Sequence, residues 1–305
     1  MTADHAHLAA PAPGQARGRG GAPLGAEVWL SPGRARVHLP PALPLDRLLS
    51  GRTPEEAAAL LPRLFNLCPM AQEQAARLSL RLAPLPDTGA EVIRLHLSRL
   101  FVTLRAALDL RPLPPPPASP ALWGGAFPQT RDDLARFLAA DLPLAELARA
   151  LALAFHEGEA LTPPLPFPKG REALTDHPFE NSPAGRQAHH PLMQALEAAE
   201  GRSPFWRLIG LMADLEAARL GALPPDFCEE GIATVQASRG AYALRVTTEG
   251  GRITGLTRRT PTDHLMAPGG ALEIALSTTR RPLAPLVLAL HDPCMAVTIR
   301  EAENA

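Results

Sequence analysis

Aromatic residues make up only 4% of the 305 residues, so any core must be built mainly from Leu, Ala and Val. Cysteine is almost as scarce: Cys68, Cys228 and Cys294 are too few for a disulfide framework and fit a reducing compartment. No run of about 20 apolar residues occurs, so no helix is expected to span a membrane. The segment Met1–Gly21 has neither the apolar stretch of a signal peptide nor a twin-arginine pair, which points to the cytoplasm. Charge of one sign is also missing. Thirty basic residues stand against 31 acidic ones, a formal net charge of -1, and nothing in that balance favours nucleic acid or an anionic membrane. A Gly-rich phosphate loop and Gly-x-Ser-x-Gly are absent, and Phe155-His156-Glu157-Gly158-Glu159 lacks the second histidine of a zinc-protease helix.

What the chain does hold is 46% hydrophobic residues, enough for a sizeable core, and 35 prolines that punctuate it. Residues 1–24 are rich in Ala, Gly, Pro and Arg without periodicity and are expected to be disordered. Residues 25–305 are expected to form a single domain. Residues 26–30 and 35–39 flank Ser31-Pro32-Gly33-Arg34 and predict a β-hairpin. Thr53-Pro54-Glu55-Glu56 predicts a capped helix that bends or stops near Pro62. Helices are expected over 70–82, 90–109, 131–140 and 143–157. Another should be opened by Ser203-Pro204 and closed by Gly221. Pro112–Pro120 is expected to be an extended linker, and 161–187, with six prolines, an irregular loop. The period then changes to two, predicting strands over 231–237, 241–248 and 252–258 with a turn at Glu249-Gly250-Gly251.

Cys68 and Cys294 in isolation are small buried hydrophobes. Their surroundings say more. Residues 48–72 carry Gly51-Arg52, Pro54, Ala57, Arg63, Cys68-Pro69 and Ala71. Residues 292–300 carry Asp292-Pro293-Cys294 and Arg300. Between them lie Val235-Gln236-Ala237-Ser238-Arg239-Gly240 and Thr260-Pro261-Thr262. In this order the segments resemble the large subunit of nickel–iron hydrogenases, whose first metal-binding segment is Gly-Arg-x-Pro-x-x-Ala leading into Arg-x-Cys-Gly-x-Cys-Pro-x-Ala-His. Its second is Asp-Pro-Cys-x-x-Cys. Phe65, Asn66 and Gln72 replace the first cysteine, the glycine and the histidine, and Val297 replaces the last cysteine. The middle of the chain, 111–225, is much shorter than in those enzymes and matches little.

The resemblance implies a mainly α fold with a smaller β region, a truncated hydrogenase large-subunit-like helical bundle. It places Cys68 at a bridging position and Cys294 at a terminal nickel position, with Arg239, Asp292, Asp109 and Arg63 around them. Arg239 matches the arginine that faces the iron's diatomic ligands, and Ala107-Leu108-Asp109 matches a helix end that contributes a carboxylate. The same groups can equally form an inherited structural ion pair. Soft thiolates hold nickel in the enzymes, and Phe65 and Val297 cannot donate, so hydrogen turnover is not expected. Only Glu301–Ala305 follow Arg300, short for the tail removed during maturation.

Large subunits with lost ligands resemble hydrogenase expression/formation proteins. The implied role is a non-catalytic maturation accessory, a scaffold or chaperone for the iron–cyanide–carbonyl unit. No cofactor is expected to be stably bound, though that unit or nickel can be held transiently. The implied partners are the hydrogenase large subunit and its accessory proteins. Two alternatives stay open: a metal-free binding module that mimics the large subunit, and a divergent nickel-dependent hydrogenase subunit. Cys228 reads as an ordinary core or loop thiol, His189-His190 as a solvated pair, and His291 as an extra ligand or, more simply, a packed residue.

Overall fold

A computed structural model describes residues 25–65 and 67–301. The disorder expected over 1–24 lies outside the described residues, as do Asn66 and residues 302–305. The fold is mainly helical with two small sheets, as the sequence predicts.

The hairpin forms from β1 (Ala26–Ser31) and β2 (Arg34–His38), with Gly33 in the left-handed turn its φ of +66° requires. After the short α1 (Leu45–Leu49) comes α2 (Pro54–Leu64), opened by a full capping box between Thr53 and Glu56. The helix passes through Pro62 and stops two residues later at Leu64, near the end the sequence predicts. The predicted 70–82 helix is α3 (Pro69–Ser79). The 90–109 helix is α4 (Gly89–Ser98) and α5 (Leu104–Ala107), joined by a π-helical turn over Arg99–Thr103.

α6 (Arg131–Ala139) and α7 (Pro143–Ala154) fall where the periodicity puts them. The stretch 161–187 is irregular but far from idle. It carries the single turn α8 (Pro183–Arg186) and a run of fully buried polar residues. α9 (Pro191–Glu200), which the sequence did not reveal, precedes α10 (Pro204–Arg219). Gly221 closes α10 with paired bonds, Gly221 N–H to Ala218 O and Ala222 N–H to Ala217 O. Ten of the sixteen α10 side chains from Trp206 to Leu215 are buried in unbroken succession, so α10 is the central helix of the largest core cluster.

The second sheet has the order β3-β4-β5-β6, all antiparallel, from β3 (Phe227–Glu229), β4 (Ile232–Ala237), β5 (Gly240–Glu249) and β6 (Arg252–Arg259). It packs against α2 and α3 through Val235, Leu244 and Ala75. The chain ends through α11 (Pro261–Leu265), α12 (Ala271–Ser277), α13 (Ala284–His291) and β7 (Val297–Glu301). β7 pairs in parallel with β1, Val28 opposite Ile299, making the first sheet β2-β1-β7. No helix among the described residues is long and apolar enough to cross a membrane.

Candidate functional site

Cys68 sits immediately before α3, and its backbone is left-handed (φ +50°, ψ +46°), an uncommon conformation for a side-chain-bearing residue. Pro69 then starts the helix with its φ already set. The first amides of α3 have no side-chain cap of their own. Glu91 of α4 supplies one, accepting from Met70 N–H at 3.2 Å and Ala71 N–H at 3.3 Å. The thiol lies 3.3 Å from Ser238 Oγ and accepts from Arg239 Nη1 at 3.5 Å. Burial pushes the Cys68 thiol up, and the Arg239 charge and Ser238 hydroxyl pull against that shift without reversing it.

Ser238 and Arg239 form the tight turn between β4 and β5. Asn181 grips the far side of that turn: its Oδ1 accepts from Ala241 N–H at 2.7 Å and its Nδ2 donates to Ala241 O at 2.9 Å. A Cβ on Gly240 would lie 2.3 Å from Asn181 Oδ1, and Gly240 has φ +139°, so glycine is required twice over. Arg239 is thereby aimed at the end of α13. Its Nε meets Asp292 Oδ2 at 3.0 Å and also donates to Asp292 O at 2.9 Å, while Nη2 donates to Asp292 Oδ1 at 3.1 Å. Burial alone would lower the guanidinium's affinity for its proton, but Asp292, Cys68 and Cys294 together raise it.

Asp292 ends α13 in the left-handed region (φ +46°). A second guanidinium reaches the same place. Arg99, from the π-helical turn, donates through Nη2 to Ala289 O and Leu290 O and stands 3.9 Å from Asp292 Oδ2. Burial lowers its pKa to about 10, with Asp292 opposing. Cys294 is held by its backbone: its N–H donates to Thr262 Oγ1 at 2.8 Å, and its Sγ lies 3.9 Å from Thr260 Oγ1. Thr260 also caps α11. Thus Cys68, Arg239 and Asp292, singled out separately in the sequence, form one contact network, and Cys294, two residues after Asp292, is bonded to the Thr260-Pro261-Thr262 stretch. Both thiols are free.

The other expected residues stand apart. Arg63 is exposed in the last turn of α2, and Asp109 is exposed beyond α5 with a left-handed backbone (φ +56°). Neither touches the cysteine segments through a hydrogen bond or ion pair among the described residues. Phe65, at the lost cysteine position, is covered by Arg258, whose guanidinium carbon is 4.4 Å from the ring centre. Val297, at the other lost position, opens β7 opposite Ala26. Gln72 is buried, donates to Leu67 O at 2.9 Å, and leaves Oε1 without a partner among the described residues. His291 is buried; its Nδ1 donates to Val287 O at 2.8 Å, and burial drops its pKa to about 3. Cys228 is neither in the core nor in a loop: it is exposed on the edge strand β3. His190 is half-buried and caps α9 by accepting from Leu192 N–H.

Sequence reasoning missed the polar groups beneath the site. Asp214, fully buried on α10, accepts from Arg186 Nε (2.8 Å) and Nη2 (2.6 Å), Gln187 Nε2 (2.8 Å) and His96 Nε2 (2.8 Å). Arg186 Nη1 continues to Gln236 Oε1 at 2.9 Å and to Ala237 O at 3.1 Å, so it ties α10 to β4 just before Ser238. Glu180 and Arg207 form a second buried pair at 2.7 and 2.8 Å. The available signal was the pair of charged residues, Arg207 and Asp214, set in the otherwise apolar run of α10, since a buried charge there demands a partner.

The donor set does not fit a resident nickel–iron centre. Positions 65 and 297 carry no donor, and among the described residues no group of three His, Cys, Asp or Glu side chains is placed to hold a metal.

No family model matches the chain. Over 280 residues it is 44% identical to the hydrogenase expression/formation protein HupK of Rhodobacter capsulatus, covering 87% of this chain and 92% of that protein. The chain belongs to this family of hydrogenase expression/formation proteins. The resemblance read from the cysteine segments is therefore borne out at the level of the family.

Two solved structures carry the same fold. The nickel–iron–selenium hydrogenase of D. vulgaris Hildenborough in its reduced state aligns with a TM-score of 0.55 at 14% identity, over 86% of this chain and 93% of that one. The reduced, active enzyme of Desulfomicrobium baculatum aligns with a TM-score of 0.52 at 12% identity, over 88% and 95%. This chain thus has the fold of a hydrogenase large subunit.

Proposed function

We propose that this protein is a non-catalytic accessory in hydrogenase maturation. It acts in the cytoplasm as a scaffold for the iron–cyanide–carbonyl unit before that unit reaches the large subunit. Arg239 is the observation that carries the reading. It is in contact with the Cys68 thiol and bonded to Asp292, two residues before Cys294, inside a large-subunit fold with two metal donors missing. A thiol from Cys68, a second from Cys294 and a fixed guanidinium suit an anionic iron fragment as passing cargo, because charge-assisted hydrogen bonds hold it without the full set of thiolates. The partners under this reading are the hydrogenase large subunit and other maturation proteins, which the relative's name suggests.

The test is metal analysis with infrared spectroscopy on protein purified anaerobically from maturation-competent cells. Iron with cyanide and carbonyl bands, lost in Cys68→Ala and Cys294→Ala together with hydrogenase activity in the host, is the expected result. Protein without such bands, and single variants that still mature hydrogenase, overturn it. A second reading has an observation of its own. Burial favours the neutral Cys68 thiol over the thiolate a metal needs. The chain then acts as a metal-free mimic that holds hydrogenase or accessory proteins, and a Cys68→Ala/Cys294→Ala double variant keeps full function.

A further inference from the structure

A cleft of about 570 Å³ opens between α3, the start of α4 and the end of α10, and neither Cys68 nor Cys294 lines it. Its walls are largely apolar, from Leu85 and Pro86 through Ile93 and Ala218 to Leu223 and Pro224. Two carboxylates line it as well. Asp87 is exposed at the rim, whereas Asp226 is half-buried and bonded to two buried residues. Its Oδ1 accepts from Gln236 N–H at 2.8 Å and its Oδ2 from Gln74 Nε2 at 3.2 Å. Each oxygen keeps a lone pair beyond the one those bonds use.

Asp226 lacks a counter-ion. Both of its bonded donors are neutral amides, and it forms no ion pair among the described residues. Burial pushes its carboxyl up from 3.8, and the donors and the charge of Arg186 oppose that shift without cancelling it. Arg186 itself is held by Asp214. Arg219, the one cation among the lining residues, is bonded to Glu216 at 2.6 and 2.8 Å. An anion finds no open donor at the start of α4 either. Asp87 Oδ1 already accepts from Gly89 N–H at 2.8 Å and Ala90 N–H at 3.4 Å. The cleft therefore offers a partly desolvated negative charge at the end of an apolar wall, and what complements it is a cation.

We propose that this cleft binds a guanidinium or ammonium group carried on an aliphatic stem, with Asp226 as its counter-ion. The head group donates to the remaining lone pairs of Asp226, and the stem lies along Ile93, Ala218 and Leu223. A basic side chain of a partner protein and a free diamine share this chemistry. Leu220 and Phe227, each next to a lining residue, are exposed apolar side chains that the neighbours of a protein-borne basic residue would cover. A purely structural Asp226 would need only to accept from Gln236 N–H. Asparagine accepts there equally well, so the negative charge is what the structural role leaves without a purpose.

The full chain is titrated with butylguanidinium and with butylurea, its uncharged counterpart, at constant ionic strength and followed by ligand-observed NMR. Saturable binding of butylguanidinium is expected, with butylurea about tenfold weaker. Asp226→Asn keeps an acceptor for Gln236 N–H and should bind butylguanidinium about tenfold more weakly than the parent. Ala90→Trp, at an exposed position of the rim, should close the cleft to both ligands without lowering the melting temperature. Saturating butylguanidinium should raise the melting temperature of the parent and leave that of Asp226→Asn unmoved. Nα-acetyl-argininamide and putrescine then separate the sources. Tighter binding of the first assigns the cleft to a protein side chain, tighter binding of the second to a free diamine, and either result supports the site. No saturable binding, equal binding of the charged and uncharged ligands, or equal binding by the parent and Asp226→Asn overturns the proposal.

Discussion

Arg239 donates twice to Asp292, Nε to the backbone O at 2.9 Å and Nη2 to the carboxylate Oδ1 at 3.1 Å, across 53 residues of sequence. The planar guanidinium grips the backbone carbonyl and the carboxylate of one residue together, so the pair fixes direction as well as distance. It locks the β4–β5 turn to the end of α13 and holds a positive charge against the Cys68 thiol.

The reactivity of Cys68 should report that charge. Arg239 favours the thiolate that burial disfavours. In Arg239→Gln the alkylation of Cys68 by iodoacetamide should shift to higher pH, with the profile of exposed Cys228 unmoved. An unchanged Cys68 profile would show that the 3.5 Å contact does not persist in solution.

Alkali should also weaken the fold through the same thiol. Its folded pKa is raised from 9.0, so the stability it contributes is complete below that value. That contribution is lost as pH rises from about 9 through the folded pKa. Denaturant titrations above and below pH 9 should show the decline, and Cys68→Ala should flatten it.

Gly240→Ala should disturb the site without touching it. The new Cβ meets Asn181 Oδ1 at 2.3 Å and the φ of +139° is strained for alanine. A cost of about 1–3 kcal/mol in urea unfolding is expected. Because Arg239 is the preceding residue, the Cys68 alkylation profile should shift as well. A stability loss with an unaltered profile would mean that Asn181 does not position Arg239.

The buried pairs under the site should set the acid limit. Arg207 more than reverses the effect of burial on Glu180 and brings it from 4.5 to about 2, and Arg186 holds Asp214 well below its ordinary 3.8. Depressed carboxylates stabilise above their unfolded pKa values and lose that contribution on protonation. Stability should therefore fall as pH drops from about 4.5 toward 2. Asp214→Ala strands Arg186 in the core and should cost about 3–5 kcal/mol. A loss below about 1 kcal/mol would imply that water enters to solvate Arg186.

Much of this was legible in the sequence, and for identifiable reasons. Thr53, Pro54 and Glu56 announce α2 because capping is local chemistry within four residues. Cys68, Arg239, Asp292 and Cys294 were identified by their neighbours rather than by their own character, and the fold brought the first three into contact. What stayed hidden depends on distant partners. α9 has no strong cap signal beyond Pro191. The buried role of Glu180, Asn181 and Arg186 cannot be read from a proline-rich stretch whose hydrogen-bond partners lie on α10, β4 and β5. β7 is too short, and its parallel partner too far away, for periodicity to expose it. Asp109 and Arg63 share motif positions with the family but lie exposed, since a short local match fixes residue type and not orientation.

That parallel pairing governs when the site can exist. Glu27 and Arg300, 273 residues apart, meet across β1 and β7, and the Cys294 segment is strung between α13 and that last strand. Closing so long a loop is slow and comes late. Until β7 is synthesised and docks, a nascent chain can fold Cys68, Ser238 and Arg239 together while Asp292 and Cys294 remain outside. The Cys68 half is then assembled first, and the segment carrying Asp292 and Cys294 is pinned in place only when the last strand pairs with the first.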